Sequence, residues 1–255
     1  MTARELVRRA LHYLSVPRCV CCRHALALGE GALCADCRVD VDNAKERTCS
    51  VCFSPLYHCT CAPEYLKAHF VRRLIKITRY VPEVDSVPSN RLIYALKEEH
   101  RQDVLDDMAT ELASAIRAAG CELKNALFVE VPRRRRAIIE YGYDHAHLLA
   151  RTLARHLGAE CRTLLYSTTP RAQKGLRRFE RAHNVHMHIR RRARHTDLSG
   201  RPVFLVDDIV TTGHSMGYAA TLLRALGARS ITGVCFSIAY PDPNIEYADK
   251  PFSSI

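Results

Sequence analysis

The sequence predicts an α/β protein with a mainly parallel sheet flanked by helices, preceded by a small cysteine-rich module. From about residue 70 onward, short apolar segments alternate with segments of helical period, the order that builds a parallel sheet. Before that point, nine of the twelve cysteines fall between Cys19 and Cys61. We therefore expect an N-terminal helix and cysteine module over residues 1–63, the α/β domain over 64–240, and an irregular tail over 241–255.

Hydrophobic periodicity and turn residues predict the individual elements. The expected strands are 71–81, 126–131, 161–166, 203–206 and 230–238. The expected helices are 2–14, 91–97, 102–119, 144–157 and 215–226. Ser89 or Asn90 is expected to cap the 91–97 helix, and Gly158 to follow the 144–157 helix as a C-cap glycine. Residues 18–62 show little helical periodicity, and residues 168–196 form a polar, arginine-rich stretch.

Charge and hydropathy limit the classes of function. Lys+Arg 38 against Asp+Glu 27 gives a net charge of +11, which favours acidic partners such as nucleic acid or phosphorylated metabolites. No apolar stretch approaches the roughly 18 residues of a membrane span. The segment before Leu14 carries arginines among its apolar residues, unlike a signal peptide. The sequence therefore favours a cytoplasmic location.

The cysteine head, residues 19–61, contains four close cysteine pairs, and their spacing is typical of zinc ligands. Sequential pairing needs only short loops and gives two closed, structural sites, whereas a crossed pairing, or Cys21 in place of a neighbour, stays open. Free buried thiols are the simpler alternative, and a redox pair is disfavoured because no βαβ pattern surrounds it. The expected ligands are Cys19, Cys22, Cys34 and Cys37 for one Zn²⁺, and Cys49, Cys52, Cys59 and Cys61 for the other.

A phosphate-binding loop is predicted over residues 203–215, which read VFLVDDIVTTGHS. A buried strand ends in two carboxylates, and a Thr-Thr-Gly-x-Ser loop then opens a helix whose N-terminus favours an anion. Gly213 permits a turn that a side chain would block. Asp207 and Asp208 suit a neighbouring diol, so the segment fits a 5-phosphoribose.

This string closely resembles the signature of type I phosphoribosyltransferases that binds phosphoribosyl pyrophosphate (PRPP). The resemblance implies a type I phosphoribosyltransferase-like fold and Mg²⁺ as the companion of PRPP. It implies that the two aspartates hold the ribose hydroxyls and that the loop wraps the 5-phosphate, with His214 contributing its backbone amide. The implied PRPP-binding residues are Asp207, Asp208, Ile209, Val210, Thr211, Thr212, Gly213, His214 and Ser215.

Three further segments, together with the cysteine head, resemble the ComF family, whose head is a double zinc ribbon. They are LIYALKEEHR from Leu92, VEVPRRRR from Val129, and TPRAQKGLRRFERAHN from Thr169. The resemblance places Pro132, Arg133 and Arg134 on the pyrophosphate side, and Gln173 and Lys174 in a mobile loop. Where the family has Arg-Gly-Phe-Asn-Gln, residues 141–145 read Tyr-Gly-Tyr-Asp-His.

The resemblance implies a competence protein that binds PRPP and single-stranded DNA and assists the DNA-uptake machinery. The alternatives are an active Mg²⁺-dependent phosphoribosyltransferase acting on a nucleobase or other small acceptor, and a regulator that senses PRPP. Arg190, Arg191 and Arg192 are candidates for contact with a nucleic-acid backbone, or else a solvated face. The sequence assigns no catalytic residue and no oligomeric state.

Overall fold

The computed structural model describes residues 16–27, 29–81, 87–169 and 185–239, apart from the side chain of Tyr141. The expected helix over 2–14, the tail over 241–255, and the mobile-loop residues Gln173 and Lys174 lie outside these ranges. Among the described helices, none combines the length and apolar character that crossing a membrane requires.

A parallel sheet organises the α/β domain, as the sequence predicts. Its strands are β1 (Val71–Ile75), β2 (Thr78–Arg79), β3 (Leu127–Glu130), β4 (Glu160–Cys161), β7 (Pro202–Val210) and β8 (Ser230–Ile238). They lie in the order β1-β8-β7-β3-β4, and β2 also pairs with β8. All of these pairs are parallel, so the carboxyl ends of the strands meet at one edge. A separate antiparallel ribbon joins β5 (Leu165–Ser167) to β6 (Met187–Ile189).

Seven α-helices occur in the described ranges. They are α1 (Ala35–Lys45), α2 (Glu64–Ala68), α3 (Pro88–Glu98), α4 (Gln102–Ala118), α5 (Arg135–Tyr141), α6 (His145–His156) and α7 (His214–Ala225). Residues of α3, α4 and α6 pack on one face of the sheet, where the stacked rings of Phe128 and Phe204 lie 4.7 Å apart. Residues of α2 and α7 pack on the other face.

The cysteine head joins the first of these cores. Val20, Leu26 and Leu33 are buried together with residues of α3 and α4. Asp107 on α4 accepts a hydrogen bond from the Ala32 amide at 3.0 Å and forms an ion pair with Arg38 at 3.1 Å. The head is therefore fixed against the sheet through α3 and α4.

Several boundaries differ from the sequence predictions. Neither Ser89 nor Asn90 caps α3, because the helix begins at Pro88, whose ring suits the first helical position. Their side chains instead tie the first turn to the preceding strand segment, since Ser89 donates to the Arg79 carbonyl and Asn90 bonds the backbone of Val81. At α6, Asp144 lies before the helix and caps it, accepting from the His147 amide at 3.1 Å. Gly158 follows the helix with a φ of +64°, as expected of a C-cap glycine.

The expected strands over 71–81 and 161–166 are each divided in two. The first is interrupted at Lys76, whose side chain leaves the sheet for the cysteine head. The second is two short strands in different sheets, β4 and β5. The head contains α1, a helix that the sequence did not predict because only Cys37, Val41 and Lys45 are buried on it. The strand expected over 203–206 extends through the two aspartates to Val210, whereas 230–238 is confirmed.

Candidate functional site

Strand β7 delivers the predicted phosphate loop to the carboxyl edge of the sheet. Asp207 and Asp208, the acid pair, lie near the carboxyl end of β7. The phosphate loop, residues 211–215, follows the strand and leads into α7. Gly213 has a φ of +80°, and a Cβ at this position would lie 2.9 Å from Cγ of Leu66. Only glycine fits both the backbone conformation and the space, so the loop shape depends on it.

Two basic side chains, Lys97 and Arg133, act on the acid pair. Lys97 Nζ lies 2.9 Å from Oδ2 of Asp208, a residue that is 4% exposed. Burial opposes the ionisation of Asp208, but Lys97 and Arg133 outweigh it and lower the pKa of this carboxyl below its usual range. Burial and the neighbouring Asp208 carboxylate raise the pKa of Asp207 well above its ordinary value. The two neighbouring carboxyls therefore have pKa values that are shifted in opposite directions.

The segment after β3 lies beside this pair. The Val131 amide donates to the Val206 carbonyl at 2.8 Å, which places Pro132 and Arg133 next to the end of β7. The Arg133 guanidinium contacts Nε2 of the buried His145. Burial, followed by the Arg133 charge, lowers the pKa of His145 to about 3, so this imidazole is neutral at physiological pH and can accept from Arg133. The Arg133 charge also acts on the acid pair, where it favours the ionised form of both carboxyls.

A cavity of about 500 Å³ adjoins the same segment on the side of β5 and α6. It is lined by acidic, basic and imidazole side chains, among them Glu130, His147 and Arg190. His147 Nδ1 lies 3.6 Å from Oε2 of Glu130 and 3.2 Å from the Thr163 hydroxyl. The nearby Glu130 carboxylate raises the pKa of His147 above its ordinary value. The cavity therefore presents both carboxylate and basic side chains.

The three arginines proposed for nucleic acid do not form one uniform patch. Arg190 Nε donates to the Leu165 carbonyl at 3.0 Å and is half-buried, so it braces the β5–β6 ribbon. Arg191 and Arg192 lie in a short 3₁₀ turn and are exposed. A contact with the backbone of a nucleic acid would therefore depend on the side chains of Arg191 and Arg192.

Four-cysteine clusters occur at both predicted places, with sequential pairing. Their sulfur atoms lie within 4.8 Å of one another in each cluster, and Cys21 belongs to neither. The clusters are Cys19, Cys22, Cys34 and Cys37, and Cys49, Cys52, Cys59 and Cys61.

These residues fit Zn²⁺, which prefers four thiolates in a closed tetrahedral site. The Ser54 backbone amide lowers the pKa of Cys52 to about 6, whereas burial raises the pKa of Cys61 to about 12. The Lys76 ammonium lies 3.1 Å from the Cys59 sulfur and is 3% exposed. The Lys76 ammonium also donates hydrogen bonds to the backbone carbonyl oxygens of Cys59, Leu74 and Cys61. A buried ammonium against a cysteine sulfur fits a cluster of anionic, metal-bound thiolates.

A parallel sheet whose central strand ends in an acid pair, followed by a glycine-bearing phosphate loop and a helix N-terminus, defines a phosphoribosyltransferase-like protein. The comparisons agree. The family described as phosphoribosyl transferase domain matches residues 145–250.

The chain is 28% identical over 230 residues to the DNA utilization protein YhgH of Escherichia coli O6:H1, covering 87% of this chain and 97% of the relative. Salmonella typhimurium YhgH is also 28% identical, over 231 residues and the same shares of both chains. The uracil phosphoribosyltransferase of Corynebacterium glutamicum strain R is 42% identical over 67 residues, 26% of this chain and 31% of the relative. A purine phosphoribosyltransferase structure from Pyrococcus horikoshii gives a TM-score of only 0.33 at 20% identity, covering 56% of this chain and 92% of that chain.

The two four-cysteine clusters, the phosphoribosyl transferase domain and the similarity to YhgH over 87% of the chain confirm the expected resemblance to the ComF family.

Several residues at this edge of the sheet were not predicted from the sequence as parts of the site. Lys97 follows the buried Ile93 by four positions, so helical periodicity could have placed it on the buried face of α3. His145 and His147 occupy the first turn of α6, within and beside the segment that departs from the family pattern. Leu66 gave no signal, because α2 has only five residues.

Proposed function

We propose that this chain binds PRPP together with Mg²⁺ at the carboxyl edge of β7 and β3. The observation that carries the proposal is the acid pair beside a phosphate loop whose glycine has a φ of +80°. In this proposal, Asp207 and Asp208 accept hydrogen bonds from the ribose hydroxyls. The loop amides, the Thr211, Thr212 and Ser215 hydroxyls, and the α7 N-terminus bind the 5-phosphate.

The segment Pro132–Arg134 supports the pyrophosphate end of the proposed ligand. Arg133 supplies positive charge beside the acid pair, which suits the charge of a diphosphate. Carboxylate oxygens of the acid pair are ligands that Mg²⁺ prefers. When bound, Mg²⁺ would neutralise part of the diphosphate charge.

Calorimetric titration of the zinc-loaded protein with PRPP and MgCl₂ tests this proposal. We expect the double variant Asp207→Asn/Asp208→Asn to weaken binding at least about tenfold, because each lost bond to a charged group is worth roughly 1.5–3 kcal/mol. The control is Asp40→Asn, a change to an exposed carboxylate of the head. Unchanged affinity in the double variant would place the ligand elsewhere.

We further propose that the chain assists the handling of single-stranded DNA in the cytoplasm during DNA uptake, in contact with the uptake machinery. The net charge of +11, the exposed Arg191 and Arg192, and the relatives called DNA utilization proteins support this proposal. Binding driven by counterion release should weaken linearly on a log–log salt plot, with a slope of about 0.7 per phosphate contacted. A fluorescent oligonucleotide should show a shallower slope with Arg191→Ala/Arg192→Ala. Identical slopes would remove these arginines from the proposal.

Two structural zinc ions per chain complete the proposal. Elemental analysis of protein purified without chelator is expected to give two zinc ions per chain, because each four-cysteine cluster closes one tetrahedral site. Substoichiometric zinc under reducing conditions would contradict it.

A second candidate function is transfer of the phosphoribosyl group to a nucleobase or other small acceptor. The 42% identity over 67 residues with a uracil phosphoribosyltransferase favours this candidate. Release of pyrophosphate from PRPP that depends on an added nucleobase would establish it. If PRPP binds without such release, only the first proposal, PRPP binding, would be supported.

A further inference from the structure

The short helix α2 (Glu64–Ala68) lies directly against the phosphate loop. It follows Cys61, the last cysteine of the second cluster, and packs on the start of α7. A Cβ at Gly213 would meet Leu66 at 2.9 Å, and a Cβ at Gly217 would meet Cε1 of Tyr65 at 2.8 Å. These two glycines lie one helical turn apart, so they leave a flat surface that the side chains of α2 fill.

Tyr65 connects α2 to the polar groups of the loop. Its ring lies 4.3 Å from the His214 ring and 4.2 Å from the His69 ring, measured between centroids. His214 Nδ1 lies 2.6 Å from the Thr212 hydroxyl oxygen. A hydroxyl that accepts a bond from Nδ1–H keeps its own hydrogen for a phosphate oxygen. The contacts therefore run from Tyr65 through His214 to a hydroxyl of the proposed phosphate site.

The other side of α2 is fixed by the second cysteine cluster and β1. The Leu74 amide donates to the Thr60 carbonyl at 3.0 Å, and Cys61 forms an isolated bridge with Arg73. Lys76 bonds the Cys61 carbonyl at 3.0 Å. A helix of five residues has little stability of its own, so its position depends on these attachments.

We infer that α2 is a positioning element for the phosphate loop, and that Tyr65 is a positioning residue for binding of the 5-phosphate of a phosphoribosyl ligand. This inference rests on the proposed PRPP site. It gives the second metal cluster a role in ligand binding, because that cluster holds the start of α2. A helix that only fills space beneath the loop would affect stability and leave affinity unchanged.

Three variants separate these roles: Tyr65→Leu, Tyr65→Phe and the control Phe70→Ala. Tyr65→Leu keeps apolar bulk but removes the flat ring, and Tyr65→Phe keeps the ring. Phe70 is 50% exposed, lies just beyond α2, and packs on Arg224 rather than on the loop. Each zinc-loaded protein is titrated with PRPP and MgCl₂ by calorimetry, and its thermal unfolding is measured without ligand.

We expect Tyr65→Leu to weaken PRPP binding about threefold to tenfold, the range for loss of one aromatic pair. Tyr65→Phe and Phe70→Ala should stay within about twofold of the unmodified chain. Unchanged affinity in Tyr65→Leu, or an equal loss in Tyr65→Phe, would overturn the inference while leaving the PRPP site intact. If the unmodified chain binds no PRPP, the proposed function and this inference both fall. If Tyr65→Leu fails to fold, Gly217→Ala, which inserts a methyl group against Tyr65, should weaken binding instead, and unchanged affinity there would overturn the inference.

Discussion

The ion pair between Lys97 and Asp208 gives the sharpest prediction about the site. The atoms lie 2.9 Å apart, and the Asp208 side chain is 6% exposed. Removing one partner of a buried pair costs about 3–5 kcal/mol, because the other charge is left without compensation. The Lys97 side chain is 20% exposed, and Arg133 also acts on the Asp208 carboxylate. The loss of unfolding free energy in Lys97→Met should therefore lie near the lower end of this range, at about 3 kcal/mol.

The loss of unfolding free energy in Lys97→Met should depend on pH in a defined direction. The folded state lowers the pKa of Asp208, so its stabilisation is present above the unfolded value of about 3.9 and is lost as pH falls through the folded pKa. In Lys97→Met that carboxyl loses its main cationic partner and protonates more easily in the folded state. The difference between the two proteins should therefore be largest near neutral pH and shrink toward about pH 4.

Urea unfolding of the zinc-loaded proteins at several pH values measures this cost. In an Asp208→Asn background, Lys97→Met should cost much less, because no buried carboxylate remains at that position. The control Lys67→Met removes an exposed pair with Glu64 and should change stability by less than about 1 kcal/mol. A cost below about 1 kcal/mol for Lys97→Met, or an equal cost in the Asp208→Asn background, would refute the reasoning.

Three other predictions concern the metal cluster, the loop and the cavity. Lys76→Met should accelerate zinc release to a colorimetric chelator, because its buried ammonium stabilises the thiolate cluster. Gly213→Ala should destabilise the fold in thermal denaturation by about 1–3 kcal/mol and weaken PRPP binding, because its Cβ would crowd Leu66. In urea unfolding, His147→Gln should lower stability at about pH 5.5. At about pH 9 the same substitution should lower stability much less. Because Glu130 raises the pKa of His147, this stabilisation is present below about 6.5 and is lost as pH rises through the folded pKa.

Each of these predictions has a contradicting outcome. Zinc release from Lys76→Met at the rate seen for Lys67→Met would show that the ammonium does not stabilise the cluster. A Gly213→Ala protein with unchanged stability and affinity would show that the loop tolerates a side chain. A loss of stability in His147→Gln that is the same at both pH values would show that the imidazolium charge is not involved.

Local sequence predicted the order of elements in residues 203–215, because a strand, an acid pair, a glycine turn and a helix start follow one another without a break. The two four-cysteine clusters could also be predicted, since a Cys-x-x-Cys turn brings its two sulfurs together by itself. Strand 230–238 was also predicted to the residue, because it is a continuous buried run that lies inside the parallel sheet, between β1 and β7.

Tertiary contacts decided what the sequence could not predict. Lys97 meets Asp208 only after α3 has packed on the sheet, and Tyr65 meets His214 only after α2 has packed on α7. The arginine run 133–136 looked uniform, yet Arg133 turns toward His145 and Arg135 begins α5. The helix α1 is polar along most of its length and buries only Cys37, Val41 and Lys45, so hydrophobic periodicity did not predict it.

Amide hydrogen exchange of the zinc-loaded chain, with and without PRPP and MgCl₂, tests the central claim most directly. The proposed site predicts slower exchange in peptides that span the acid pair and the phosphate loop, 203–217, and in those that span the segment after β3, 129–136. Exchange in the first cysteine cluster, 19–37, should stay unchanged, because that part of the head packs on α3 and α4. Unaltered exchange at 203–217 with saturating PRPP, or protection confined to the head, would contradict the account.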